Sequence, residues 1–238
     1  MPTRDPRTGD HPATPAGGEK SSDAIGRHLN TLDELRDAVN ACRRCQLFRA
    51  ATQGVPGEGP RHTSIMLVGE QPGDAEDKEG HPFVGPAGRL LDEVLAEAGI
   101  DRGSVYVTNA VKHFKWERGD KSKRRIHKKP NDGEIRACRP WLDRELALVR
   151  PDVVVCLGAT AAQSLLGRTF RVTKERGVER ATPLAPHTFA TVHPASVLRA
   201  PDEELRRVAR EEFFADLQAV GECYRRLQGL TARAASPA

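Results

Sequence analysis

Four of the five cysteines have the layout of a metal site: Cys42-x-x-Cys45, then Cys138 after a long interval, then Cys156. A C-x-x-C pair chelates one metal centre from a single turn of chain, and two distant thiolates can close the site. Zinc accepts four sulfurs as readily as an iron–sulfur cluster does, so spacing leaves the two metals even. Plain core thiols are the alternative for Cys138 or Cys156. Cys223, late in a helical pattern, reads as a buried or idle thiol.

A second set of residues gathers titratable and amide groups at the ends of short apolar runs. These are Gly69-Glu70-Gln71-Pro72-Gly73, Thr108-Asn109-Ala110, Leu157-Gly158 and His193-Pro194-Ala195-Ser196. A third feature is "ERGDKSKRRIHKKP" (117–130), where a single imidazole, His127, stands amid lysines and arginines. On spacing alone it is an incidental histidine in a solvated basic loop. Yet nine Lys/Arg against two acids between Lys112 and Lys129 make a local positive field on an otherwise nearly balanced chain, which points to a polyanion.

Elements must position these groups. "TLDELRDAVN" opens with a capping-box pattern, Thr31 three residues before Glu34, and puts Leu32, Leu35 and Val39 on one helical face. Four apolar, β-branched runs (64–70, 104–111, 151–158 and 188–194) read as buried strands of a parallel sheet. Helical patterns lie between them at "GPAGRLLDEVLAEAGI", "NDGEIRACRPWLDRELALVR" and "ATAAQSLLG". A last helix from about Asp202 carries Leu205, Val208, Ala209, Phe213, Leu217, Val220 and Tyr224 as a core-facing stripe. The alternation predicts an α/β fold, a three-layer α/β/α sandwich around a mainly parallel four-stranded sheet. Ligands of such sheets bind outside the carboxyl ends of the strands, where the polar groups gather.

At 238 residues, 29% charged and 38% hydrophobic, the chain suits one large globular domain. No apolar run approaches the ~18 residues of a membrane span. Residues 1–24, rich in Pro and Gly with no apolar h-region, read as a disordered extension. The domain then spans 25–230, with a basic insertion at 112–130 and a frayed tail at 231–238. Without a secretory leader, the cysteines are not expected to form a disulfide framework.

"GEQPGDAEDKEGHPFVGPAGRLLDEVL", "VYVTNAVKHF", the Cys42/Cys45/Cys138/Cys156 layout and "HPASVLR" together resemble the iron–sulfur uracil-DNA glycosylases of family 4, over about residues 30 to 222. The resemblance implies a uracil-DNA glycosylase-like fold and tips the metal to a structural [4Fe–4S] cluster on the four cysteines. Gln71, where ordinary members usually carry alanine, and the insertion ending in "KRRIH" occur together in the UdgX branch, whose members become covalently joined to uracil-containing DNA.

The same resemblance implies that Gly69, Gln71 and Asp74 line a uracil pocket, that Phe83 stacks on the base, and that Asn109 reads its edge. An amide donates and accepts at once, as the O4/N3–H pattern of uracil requires. Glu76 would stand near C5 and disfavour thymine. His193 would stabilise the anionic O2 of the leaving base, and Glu70 the cationic sugar. Lys123, Arg124, Arg125, Ser196 and Arg199 would meet the DNA, and His127 would attach to C1′, with neighbouring cations disfavouring its imidazolium form. Singly, Phe83 could be core, Asn109 a turn residue and His193-Pro194 a strand stop. The expected partner is uracil-containing DNA, single- or double-stranded. The expected state is a cytoplasmic monomer, at the nucleoid when bound, with no membrane association.

Overall fold

Each apolar run yields a five-residue strand, buried throughout except at His187. In this computed structural model, residues 28–119 and 124–234 are described, with no side chain described from 230 onward. The elements in order are α1 (Leu32–Asn40), β1 (Ile65–Gly69), α2 (Asp74–Glu79), α3 (Pro86–Glu97) and β2 (Val105–Asn109). A short hairpin of β3 (Trp116–Arg118) and β4 (Arg125–His127) precedes α4 (Asp132–Val149). Then come β5 (Val153–Leu157), α5 (Ala159–Leu166), α6 (Val172–Glu175), β6 (His187–Thr191), α7 (Pro194–Leu198) and α8 (Glu203–Ala234).

The sheet order is β2-β1-β5-β6 and every pairing is parallel. Alternation along the strands feeds two cores. Ile65, Leu67, Val153 and Val155 face α3 and α8, meeting Leu91, Leu95, Phe213 and Leu217. Met66, Val68, Val154 and Cys156 face α4 and α5, meeting Leu142, Ala161 and Ala162. A third, smaller core packs α1 on the outer side of α4, through Leu35, Val39, Cys42, Cys138 and Trp141. The capping box at Thr31 and Glu34 forms, and Asn131 with Glu134 repeats it at α4. The expected three-layer sandwich is therefore present.

One reading is corrected. On α8 the stripe is buried only from its middle: Phe213, Leu217 and Val220 sit in the core with Ala209 and Tyr224 packed against it, whereas Leu205 is 51% and Val208 37% exposed. Helix α8 runs to Ala234, and residues 1–24 and 235–238 of the expected extension and tail lie outside the described residues. The hairpin and the short helices α2, α6 and α7 carry too few apolar residues to show a period. Among the described residues no helix is long and apolar enough to cross a membrane.

Candidate active site and cysteine centre

The site forms where the sheet order reverses, between the carboxyl ends of β1 and β5, the place where open parallel sheets leave a crevice. Glu70 leaves β1, Thr160 opens α5 after β5, and the Thr160 hydroxyl donates to Glu70 Oε2 across the gap. A cavity of about 540 Å³ opens there, lined by Glu70, Gln71, Phe83, Asn109, His127 and His193 among others. That volume suits a small ligand.

One wall is built by close approach. A Cβ on Gly69 would lie 2.4 Å from Asn109 Oδ1 and 2.7 Å from Phe83 Cζ, so only glycine lets the amide and the ring close on the end of β1. Asn109 is 3% exposed, and Phe83 holds φ at 60°, a left-handed conformation that bulky residues seldom adopt. The Phe83 and His193 rings are near-parallel, 24° apart in plane with centroids 6.1 Å apart.

His193 caps α7, its Nδ1 accepting from the Ala195 N–H at 3.1 Å. The neutral ring must then carry its proton on Nε2, as a donor. Burial pushes this imidazole down to about 4, with Glu70 opposing in part, so it is neutral at neutral pH. For Glu70, burial favours the protonated acid, but hydrogen bonds from His127 and Thr160 outweigh it and hold the carboxyl below its ordinary value.

The hairpin delivers His127. Its Nε2 lies 3.3 Å from Glu70 Oε1. Arg125 and His127, two apart on β4, share a face, and Ile126 points the other way, 49% exposed. Arg125, expected to meet the DNA, has its guanidinium paired with Asp74 and Asp77 on α2 and lying over the rings of Phe114 and Trp116. These contacts anchor the hairpin. Gln71 fastens the hairpin's base, Nε2 donating to the carbonyls of Lys115 (3.2 Å) and Lys128 (3.1 Å) and Oε1 accepting from the Lys115 N–H (3.2 Å).

Several other expected residues have partners within the protein. Asp74 lines the cavity, but its carboxylate is paired with Arg125 and Lys78. Glu76 also lines it, with Oε2 accepting from the Gly73 N–H (3.0 Å) and Oε1 from the Gly85 N–H (2.8 Å), so it braces the pocket wall. Lys112, counted in the positive field, is buried: its Nζ pairs with Glu145 at 2.7 Å and donates to Thr108 and the Asn109 carbonyl. Ser196 donates to the His193 carbonyl at 2.6 Å and stands outside the cavity, whose rim includes Arg199. Arg124 is exposed on the hairpin, and Lys123 lies outside the described residues. Sequence reasoning missed Thr160, whose only signal is its place just after a strand end.

Three of the four expected metal ligands converge. Cys42 and Cys138 share the α1/α4 core, Cys45 packs against it, and Cys45 and Cys138 are hydrogen-bonded. Arg44, between the two cysteines, donates to the Ala137 carbonyl at 2.9 Å, and Trp141 Nε1 lies 3.2 Å from Cys42 Sγ. Cys156 is not among them. It lies on β5 between Val68 and Ala190, in the sheet-facing core, and burial pushes its thiol up to about 12. Strand alternation decides this, since residue 156 points to the sheet face that packs α5. A buried, unpartnered nitrogen, His113 Nδ1, belongs to the residue after Lys112, whose N–H points at Cys138 Sγ (3.4 Å). The donors present therefore fit a metal centre. Cys223 is buried in the α3/α8 core, near Glu179 and His187, away from these thiols.

Residues 56–218 match the family model described as the uracil DNA glycosylase superfamily. The type-4 uracil-DNA glycosylase of Sulfurisphaera tokodaii is 37% identical over 193 residues, 78% of this chain and 83% of that protein. That of Thermotoga maritima is 37% identical over 182 residues, 76% and 90% of the two chains. The type-5 enzyme of Thermus thermophilus is 30% identical over 197 residues, 74% and 81%. With the strand-end pocket and the cysteine centre in place, these likenesses identify the chain as a member of the uracil-DNA glycosylase superfamily, on its type-4 branch.

Proposed function

We propose that this protein excises uracil from DNA and is left joined to it, through His127, at C1′ of the deoxyribose. The observation that most supports the reading is the placement of His127 Nε2 at 3.3 Å from Glu70, in the same cavity as Asn109 and His193. Gln71 and the hairpin, the two features that the UdgX resemblance rests on, act as one device, since the Gln71 amide ties the hairpin's base.

The nucleotide must leave the stack to enter the cavity, with Lys123, Arg124 and Arg199 on phosphates that position without reading sequence. Asn109 hydrogen-bonds the uracil edge and Phe83 supplies the apolar face. As the C1′–N1 bond stretches, its electron pair moves to uracil. The Nε2–H of neutral His193 donates to the developing O2 anion, and the Glu70 carboxylate faces the oxocarbenium sugar. His127 then captures C1′. Before attack the ring exchanges the Nε2 proton that meets Glu70 for one on Nδ1 through solvent, which frees the Nε2 lone pair for the anomeric carbon, and the Glu70 contact gives way to the sugar. The Nε2–C1′ bond forms, the uracil anion takes up a proton, and the imidazolium releases its own. Water at C1′ would give a hemiacetal that opens, whereas an imidazole leaves an N-glycosidic bond with no built-in group to cleave it.

The cysteine centre is read as a [4Fe–4S] cluster with a structural part, joining the Cys42–Cys45 turn to α4 through Cys138. Thiolates around one zinc lie about 3.8 Å apart for a Zn–S bond of ~2.3 Å. Among the described residues, only Glu179, His187 and Cys223 bring three ligand atoms within 4.8 Å of one another, so the three converging thiols are set for a larger group than one ion.

The test is a uracil-containing oligonucleotide, single- or double-stranded, resolved on a denaturing gel. A heat- and detergent-resistant shifted band is expected, with the deoxyribose on the His127 peptide by mass spectrometry. Alkali-labile sites without a shifted band would leave a turning-over glycosylase and overturn the covalent step. Neither product would leave a DNA-binding module.

A further inference from the structure

We propose that Glu179, His187 and Cys223 form a zinc site at the amino end of β6, apart from the cysteine centre and at the opposite end of the sheet from the pocket. Cys223 is a buried thiol that neither the pocket nor the cysteine centre uses. Beside it stand an imidazole and a carboxylate, and one ligand atom from each of the three residues lies within 4.8 Å of the other two. Among the described residues no other trio of cysteine, histidine or acidic side chains comes that close.

The backbone fixes each ligand. Cys223 is on the core face of α8. His187 opens β6, its N–H donating to the Asp152 carbonyl at 3.1 Å and its Cα in register with Val153 of β5. Glu179 lies in the chain returning to β6, where Arg180 and Thr188 exchange N–H···O=C bonds of 2.9 and 2.7 Å. A helix, a strand and a strand-paired loop therefore place the three donors in advance, as a precise metal site requires.

The donors select the ion. Thiolate, imidazole and carboxylate together make a zinc set, whereas calcium and magnesium take oxygens. His187 Nδ1 and Glu179 Oε1 are 2.6 Å apart. Around a tetrahedral zinc they would stand about 3.3 Å apart, so the pair opens by about 0.7 Å as the ion replaces the proton between them. The imidazole then carries its proton on Nε2, and the thiol gives its own to solvent. Burial pushes the Cys223 thiol up, with Glu179 and Asp152 adding to this and Arg226 opposing, so the thiol keeps its proton until a cation displaces it. One thiolate and one carboxylate cancel the two charges of the ion. Arg226 pairs with Glu179 Oε2 at 2.7 Å, which leaves Oε1 to the metal and orients the carboxylate, as outer partners of metal ligands do. Glu179 is exposed and His187 partly so, which gives a path from solvent and a fourth position for water. Bound there, zinc ties α8 to the sheet's edge strand.

The experiment uses the full chain as purified, given zinc and then desalted, with retained zinc counted by elemental mass spectrometry and its shell read by zinc X-ray absorption. The wild type should retain about one zinc per chain, with a single sulfur among nitrogen and oxygen neighbours. Zinc should also raise the midpoint of thermal unfolding. His187→Ala and Glu179→Gln should each weaken zinc binding by about tenfold or more. Cys223→Ala should remove the sulfur from the shell, and all three variants should lose the thermal shift. Were Cys223→Ala to fail to fold, His187→Ala, altered at a partly exposed side chain, would still decide. A shell of several sulfurs would put the zinc in the cysteine centre and overturn the proposal. So would zinc retained equally by His187→Ala, or a wild type that retains none.

Discussion

His127 answers why an imidazole stands in a run of positive charge. The cation that shares its strand face, Arg125, is matched by Asp74 and Asp77, and the group that His127 itself meets is the carboxylate of Glu70. If His127 captures the sugar, His127→Ala should abolish the denaturant-resistant adduct even at saturating protein. Glu70, Asn109 and His193 would still break the bond, and the variant should turn over slowly, leaving alkali-labile sites on the same gel. An adduct that persists in this variant refutes the assignment. Gly69 makes a different demand. In Gly69→Ala the new methyl would lie 2.4 Å from Asn109 Oδ1, and excision should fall by about 10²-fold, the scale of an ångström-sized misplacement of a reacting group. Retention on uracil-free DNA should not change, because phosphate contacts are a separate term. Equal loss of both would show that the change disrupts the fold.

At the scale of elements, the β3–β4 hairpin has three residues per strand and no buried position in either, so it depends on what fastens it. Gln71 holds its base and Arg125 clamps it to α2. Removing the amide in Gln71→Ala should slow adduct formation more than uracil release, and raise hydrogen exchange of the Trp116–Arg118 and Arg125–His127 amides. Equal slowing of both steps would place Gln71 on the base instead of the hairpin. Below the pocket, the end of β2 rests on Lys112 and Glu145, both fully buried, with Glu145 also accepting from Gly57 and Thr108. Lys112→Met leaves an uncompensated buried carboxylate and should lower stability by about 3–5 kcal/mol in denaturant unfolding. Lys112→Met combined with Glu145→Leu should recover much of it, whereas additive losses would deny the coupling.

For the whole molecule, the pocket lies at the sheet's switch point and the cysteine centre on the far side of α4, so the two are carried by different cores. The pocket's burial of His193 links folding to pH. Its folded value, about 4, is depressed below the ordinary 6.5, so the unfolded chain binds the proton more readily. The contribution is complete above 6.5 and is lost as pH falls from there through about 4. Its size is at most about 3 kcal/mol, less the share screened by water at the cavity mouth. His193→Asn should flatten the unfolding free energy between pH 6.5 and 4 relative to wild type. An unchanged slope would mean that other groups carry the acid sensitivity.

The four strands, the α1 cap and the strand-end placement of Glu70, Asn109 and His193 were legible because period, capping chemistry and parallel-sheet topology are local or nearly so. The type-4 resemblance rested on the same motifs. The hairpin was not legible, since its strands are charged and too short for alternation to appear, and its stability comes from Asp74, Asp77 and Gln71, all remote in sequence. Cysteine spacing likewise pointed to a metal site but could not separate Cys156 from the ligand set. Which face of β5 a thiol points to, and which core that face joins, is decided only when the sheet packs. The sequence by itself determined the elements and the chemical groups at their ends. The tertiary structure decided which of those groups meet, because partners such as Gln71 and Lys128, or Glu70 and Thr160, come together only across packed layers.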